Sequence, residues 1–223
     1  MKTLKLFMLP ILLSVFFVLA SATEVNKETE RVLNATKVLK AFGEMKESIP
    51  HELITDYQGV VIIPNLINAG FGIGGRRGKG VAMVKLADGK WSDPVFITLT
   101  GGSIGLQIGV QSVDMVLVFK HKGVLAKVKS GDFTIGGDIS AAAGPVGRSS
   151  TASTDYKLEA EVYSYSRSRG LFAGVTIHGS NLAIDKTANN TFYGNSLSSS
   201  QIFESGKSTD AAVSDLKKAL GAL

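Results

Sequence analysis

The sequence runs to 223 residues with no cysteine, 25 glycines and a formal net charge of +5, a length that suits one domain with a sizeable core. Without cysteine there is neither a disulfide nor a lipid-modified residue at an export junction, which excludes a lipoprotein. The basic excess is mild: it fits an anionic surface as partner and falls short of the dense positive character of a nucleic-acid binder.

Met1, Lys2 and Lys5 precede an apolar run from Leu6 to Ala20, and Ala20, Ser21 and Ala22 supply the small residues that a signal peptidase accepts. Residues 1–22 are therefore expected to be a cleaved export signal, leaving 23–223 as one periplasmic or secreted domain, peripherally associated with a membrane at most. The run is shorter than the roughly 20 residues that cross a bilayer core, and Pro10 interrupts it. Loss of Lys2 and Lys5 lowers the charge of +5 by two.

Val25, Val32, Leu33, Leu39, Phe42, Met45 and Ile49 recur at helical spacing, with Lys27, Glu30, Lys37, Lys40, Glu44 and Lys46 on the other face. This predicts an amphipathic helix from Val25 to Ile49 that stops before Pro50. Such a helix packs on a core or lies on a membrane surface.

Beyond Gly59 short apolar or alternating runs punctuated by glycine predict strands at Val60–Ile63, Val81–Leu86, Val95–Leu99, Ile104–Val110, Met115–Phe119, Leu158–Tyr165 and Leu171–Ile177. Asp88 and Gly89 mark a hairpin turn, because that pair tolerates positive φ. Glycines inside strands, among them Gly105, Gly109 and Gly174, imply bulges, bends or close backbone approach. The stretch from Ser140 to Thr154 reads as a long loop and Thr187–Gly194 as a turn. Ser208–Leu220 reads as a closing helix capped by Ser208 or Asp210, with Val213, Leu216 and Leu220 inward. The fold class is α+β: one glycine-rich, strongly curved antiparallel sheet or barrel-like sandwich, with flanking N- and C-terminal helices.

Two motifs imitate catalytic or nucleotide sites. Gly70, Gly72 and Gly75 have the spacing G-x-G-x-x-G, but a strand follows where a dinucleotide site needs a helix N-terminus, so no nucleotide is expected. Gly101–Gly105 spells G-x-S-x-G around Ser103, but Leu106–Val110 continues as a strand, and His51, His121 and His178 are scattered. No enzymatic activity, cofactor or metal is expected. Basic residues cluster at Arg76, Arg77 and Lys79, and again at Lys120, His121, Lys122, Lys127 and Lys129, with Arg148, Lys157, Arg167 and Arg169 single. Such runs are solvated faces, or loops that meet to hold phosphate head groups, helped by backbone amides of the Arg76–Gly80 segment.

The glycine punctuation identifies the sequence as resembling the SYLF domain family. The matching stretches are GVVIIP at Gly59–Pro64, AGFGIG at Ala69–Gly74, GKG at Gly78–Gly80, WSDP at Trp91–Pro94, GLQIG at Gly105–Gly109, GP at Gly144 and Pro145, YSYSRSRGLFAG at Tyr163–Gly174 and FYG at Phe192–Gly194. The resemblance covers about residues 35–205. It implies a non-enzymatic lipid-binding domain, since eukaryotic relatives bind phosphoinositide-containing membranes and some yeast relatives bind and bundle actin. For an exported chain the expected partners become anionic phospholipids or other envelope lipids. The alternative is a structural role on an envelope protein. Chemistry, rather than the family pattern, nominates Arg76, Arg77 and Lys79 for head groups, with Lys120, Lys122, Lys127 and Lys129 as a second patch. Phe71, Ile73, Leu171 and Phe172 are the candidate acyl-chain wall.

Overall fold

A computed structural model of the protein describes residues 26–45, 49–128, 133–144, 160–168, 171–172, 177–194, 197–205 and 207–223. The expected export signal, Lys129, Arg148, Lys157 and Arg169 lie outside the described residues, as do the side chains of residues 103–108, Lys127 and Phe172.

The first helix, α1, spans Lys27–Gly43. Asn26 caps it by accepting the Glu28 N–H, and Glu28 and Glu30 in the first turn with Lys40 in the last complement the helix dipole. It is shorter than its periodicity predicts. Gly43, a poor helix former, closes it, and a short helix α2 (His51–Asp56) that the sequence reading lacks comes after Pro50.

Two long strands dominate the sheet. β1 runs over 26 residues from Gly59 to Val84 and β2 over 25 from Val95 to Phe119, antiparallel from Gly59 opposite Phe119 to Ala82 opposite Val95. The predicted Val60–Ile63 and Val81–Leu86 are thus two ends of one strand, and Val95–Leu99, Ile104–Val110 and Met115–Phe119 lie on its partner. Asp88–Gly89 forms the expected turn, with Gly89 at φ +79° and the Leu86 and Lys90 backbones joined.

A straight strand of that length would run about 85 Å, roughly twice the diameter of a domain this size. The hairpin instead folds back on itself. The register slips between Ile63 and Leu66 and again between Phe71 and Ile73, and glycine lines the inside of the fold. A Cβ on Gly78 would stand 2.5 Å from Ile63 Cγ2 and 2.8 Å from Leu66 Cδ1. One on Gly80 would strike the Ile62 carbonyl, and Gly70 and Gly74 touch across the bend. The Val84–Val95 turn and the open end at Gly59 and Phe119 therefore share one end of the molecule, with the bend at the other.

Short strands widen the sheet. β3 (Phe133–Ile135) pairs with β7 (Ser180–Ile184), and β7 with the start of β2. β5 (Val162–Ser168) pairs with the end of β2 and with β6 (Leu171–Phe172). The sheet is nearly closed and barrel-like, as expected, but mixed: β4 (Ala141–Ala143) lies parallel to β5, inside the stretch expected to be loop. The expected turn at Thr187–Gly194 is helix α4 (Lys186–Tyr193). It comes after the short helix α3 (Lys122–Lys127) and before α5 (Ser199–Glu204), whose Ser198–Gln201 capping box the sequence reading missed. The closing helix α6 (Ala211–Gly221) is capped by Asp210.

Both faces of the hairpin base are buried, which explains why Val60-Val61-Ile62-Ile63 is continuously apolar. Val60, Ile62, Val81 and Met83 pack beneath Val32, Leu39 and Phe42 of α1 and Val213, Leu216 and Leu220 of α6. Val61, Ile63, Ala82 and Val84 face the barrel interior with Leu117, Phe133 and Leu182. The apolar stripe of α1 is therefore spent on the core.

Candidate functional site

The helices cover only the base of the hairpin's outer face. Past the bulge at Asn65, which adopts φ +51°, the same face continues, uncovered among the described residues, as Ile67, Ala69, Phe71, Ile73, Gly75, Arg77 and Lys79, every second residue of β1. Phe71, Ile73 and, opposite Ala69 on β2, Val110 keep 78, 79 and 77 % of their surface exposed, and Ile67 keeps 41 %. Leu171, 73 % exposed, lies apart from them on β6, three strands from β1 by way of β2 and β5. Among the described residues this is the concentration of exposed large hydrophobics. Grouped exposed apolar side chains mark interaction sites, whereas scattered ones do not.

The bulge is held by an ion pair. Arg167 Nη2 lies 2.6 Å from Asp114 Oδ2, and Asp114 Oδ1 accepts the Asn65 N–H at 3.1 Å. One carboxylate thereby ties the bulge of β1 to β2 and β5. Arg167, which stands alone among the cations of the sequence, is a strut of that bulge.

The predicted cations separate by strand parity and by end. Arg76 points inward and is only 8 % exposed; burial lowers its pKa from the ordinary arginine value. The structure does not bring Arg76 and Arg77 together: on a pleated strand the two cannot share a face. Arg77 is exposed. Lys79 is exposed but steered, with its ammonium 3.6 Å from Asp185 Oδ2. Arg31 of α1 reaches the same carboxylate at 3.1 Å and stacks on Phe96. Burial pushes the Asp185 carboxyl up, but the Ala188 N–H, Arg31 and Lys79 outweigh it and leave the pKa below the ordinary carboxylate value.

Lys120 and Lys122 come just after Phe119, the register partner of Gly59, at the end of the molecule opposite the bend. The structure does not bring them together with Arg77 and Lys79. Lys122 lines an open groove of about 640 Å³ whose other walls include Asp88 and Glu204, carboxylates that disfavour an anion. Ser103 lies in the middle of β2 opposite Gly74, with no strand-to-helix elbow. His51 begins α2, His121 approaches Glu161 at 3.8 Å, and His178 sits in the turn before β7.

Sequence reasoning missed Ile67, Val110 and Asp185. The first was legible in principle, because Ile67, Ala69, Phe71, Ile73, Arg77 and Lys79 already alternate with period two. Asp185 was not, since it meets Lys79 across more than a hundred residues of sequence.

A folded-back hairpin that leaves one apolar-to-basic face bare beside a rigid helical cover defines a binding or interaction module. A family model described as "Las17-binding protein actin regulator", Ysc84, matches residues 100–223. The chain belongs to that family, the SYLF domain family. It is 36% identical over 167 residues to SH3 domain-containing YSC84-like protein 1 of Xenopus laevis, covering 72% of this chain and 50% of that protein. To the Homo sapiens protein of the same name it is 37% identical over 166 residues, 71% of this chain and 48% of that one. To LAS seventeen-binding protein 3 of Saccharomyces cerevisiae it is 32% identical over 201 residues, 89% of this chain and 43% of that one. The chain thus spans about half or less of the length of these relatives; the family description and the yeast protein's name speak of binding and regulation, not catalysis.

Proposed function

We propose that this SYLF domain binds anionic lipid surfaces without catalysis, and that after export through residues 1–22 it meets them in the cell envelope. The observation that carries the reading is the bare face of β1, where exposed Phe71 and Ile73 lead along one side of the strand to Arg77 and Lys79. An apolar strip bordered by cations complements a bilayer's acyl boundary and its anionic head groups. Lys120 and Lys122, at the other end of the hairpin, stay in this reading as a patch for long-range attraction, with Lys127 and Lys129 its expected companions in sequence. The test is co-flotation with phosphatidylglycerol vesicles of the parent and of Arg77→Glu. A change of two charges at about 1 kcal/mol each weakens binding by roughly 30-fold; equal flotation of the two proteins removes Arg77 from the site.

A second reading rests on the family description, which names Las17 binding and actin regulation, and on the yeast relative's name, which names Las17 binding: the same face takes an envelope protein. A stoichiometric protein partner captured by the parent and lost with Arg77→Glu, alongside no affinity for vesicles, would favour it.

A further inference from the structure

We infer that the bend of the β1–β2 hairpin is a wedge that enters the bilayer interface end-on, so that the domain stands on the membrane by its hairpin tip and not by its amphipathic helix. The inference rests on the lipid-binding function proposed for the domain and adds which element inserts, how deep, and which side chains lead.

Three observations carry it. First, α1 has no apolar stripe to offer: Val32, Leu39 and Phe42 are buried against β1 and α6. Second, the exposed apolar residues are graded along the strand. Phe71 and Ile73 flank the Gly70–Gly74 contact at the turning point of β1, so they lie farthest from the Gly59 end. Ile67 and Val110 stand a step behind them.

Third, the charge is spaced to match an interface. Arg77 lies four residues beyond Ile73, about 13 Å along the strand. The head-group layer of one leaflet is about 5–8 Å thick, and the flexible arginine stem spans the remainder, so the guanidinium rests among phosphates while Phe71 and Ile73 reach the acyl boundary. Lys79, two residues farther out and tied to Asp185, marks the limit of immersion. The Asp114–Arg167 pair secures β1 at the Asn65 bulge, behind the apolar residues.

The absence of cysteine permits a direct test. Phe71→Cys and, separately, Ile73→Cys and Lys122→Cys proteins are labelled with the environment-sensitive fluorophore NBD and mixed with equimolar phosphatidylcholine–phosphatidylglycerol vesicles. The expected result is a blue shift at 71 and 73, quenching there by nitroxide placed high in the acyl chain, and no change at 122. In parallel, Phe71→Asp lowers vesicle affinity at least tenfold, with circular dichroism unchanged because the side chain is exposed. If the vesicles sediment the protein while labels at 71 and 73 remain aqueous, another face docks: the wedge is overturned and the lipid-binding reading stands. If the labels are already shielded without vesicles, the tip is covered by protein and the wedge is likewise overturned. If no vesicle sediments the parent, the underlying reading fails and the wedge falls with it.

Discussion

The ammonium of Lys79 stands 3.6 Å from the carboxylate of Asp185, and this contact joins the bare face of the hairpin to the helices that stop short of it. Asp185 is at once the N-cap of α4, the partner of Arg31 in α1 and a counter-charge on the outermost cation of the candidate site. Replacing it with asparagine keeps a cap-competent side chain and removes the charge. Asp185→Asn is expected to cost about 1–2 kcal/mol of stability through the half-buried Arg31 contact. It should also tighten binding to anionic vesicles by up to about fivefold, because one net positive charge is added beside the site. Urea unfolding and vesicle titration of the same preparation check both directions.

The same carboxylate predicts an acid limb. Its pKa is held below the ordinary value in the folded protein, against about 3.9 when unfolded. A depressed carboxyl pKa contributes stability that is present above the unfolded value and lost as pH falls through the folded one. The stability gap between parent and Asp185→Asn should therefore be full near about pH 6 and close below about pH 4, read from urea midpoints.

Glycine at the inner side of the fold has a steric reason that a paired substitution isolates. Gly80→Ala drives a methyl group into the Ile62 carbonyl, which is backbone and cannot step aside, and should cost about 1–3 kcal/mol. At Gly102, which has nothing within 4 Å, alanine should stay within about 0.5 kcal/mol of the parent. Thermal unfolding of the pair separates close approach from loss of glycine as such.

Asp93 of the Trp91–Pro94 stretch anchors the C-terminal helix. Its buried carboxylate lies 2.7 Å from Lys217 Nζ and also accepts from Ser205 Oγ and the Ser208 N–H. Asp93→Ala should destabilise by about 3 kcal/mol, since truncating one member strands the other polar groups. Trp91, the one tryptophan in the sequence, reports the unfolding by fluorescence.

How much of this was legible depends on which forces are local. The closing helix could be read from Asp210 and the inward Val213, Leu216 and Leu220 because caps and helical period act within a few residues. The Asp88–Gly89 turn was legible for the same reason. The length of β1 and β2 was not. Glycine interruptions that end a strand in a flat sheet here mark its crossing over itself, a tertiary event visible only once Gly78 meets Ile63 and Leu66. α4 read as a turn because Asn189 and Asn190 are weak helix formers, yet the Asn189 side chain bonds the Phe96 N–H and carbonyl across the sheet and holds the helix in place. For the site, Arg77, Lys79, Phe71 and Ile73 were found by residue type, but their sides were not. Strand parity separates Arg76 from Arg77, and the long fold of the hairpin separates both from Lys120 and Lys122.

The measurement closest to the central claim is sedimentation of the protein with pure phosphatidylcholine or equimolar phosphatidylcholine–phosphatidylglycerol vesicles, at about 0.05 and about 0.5 M salt. The expected result is binding to the anionic vesicles, weakened by salt as Arg77 and Lys79 are screened but not abolished while Phe71 and Ile73 stay immersed, and little binding to phosphatidylcholine alone. Equal binding to both lipids, or none to either, would contradict it.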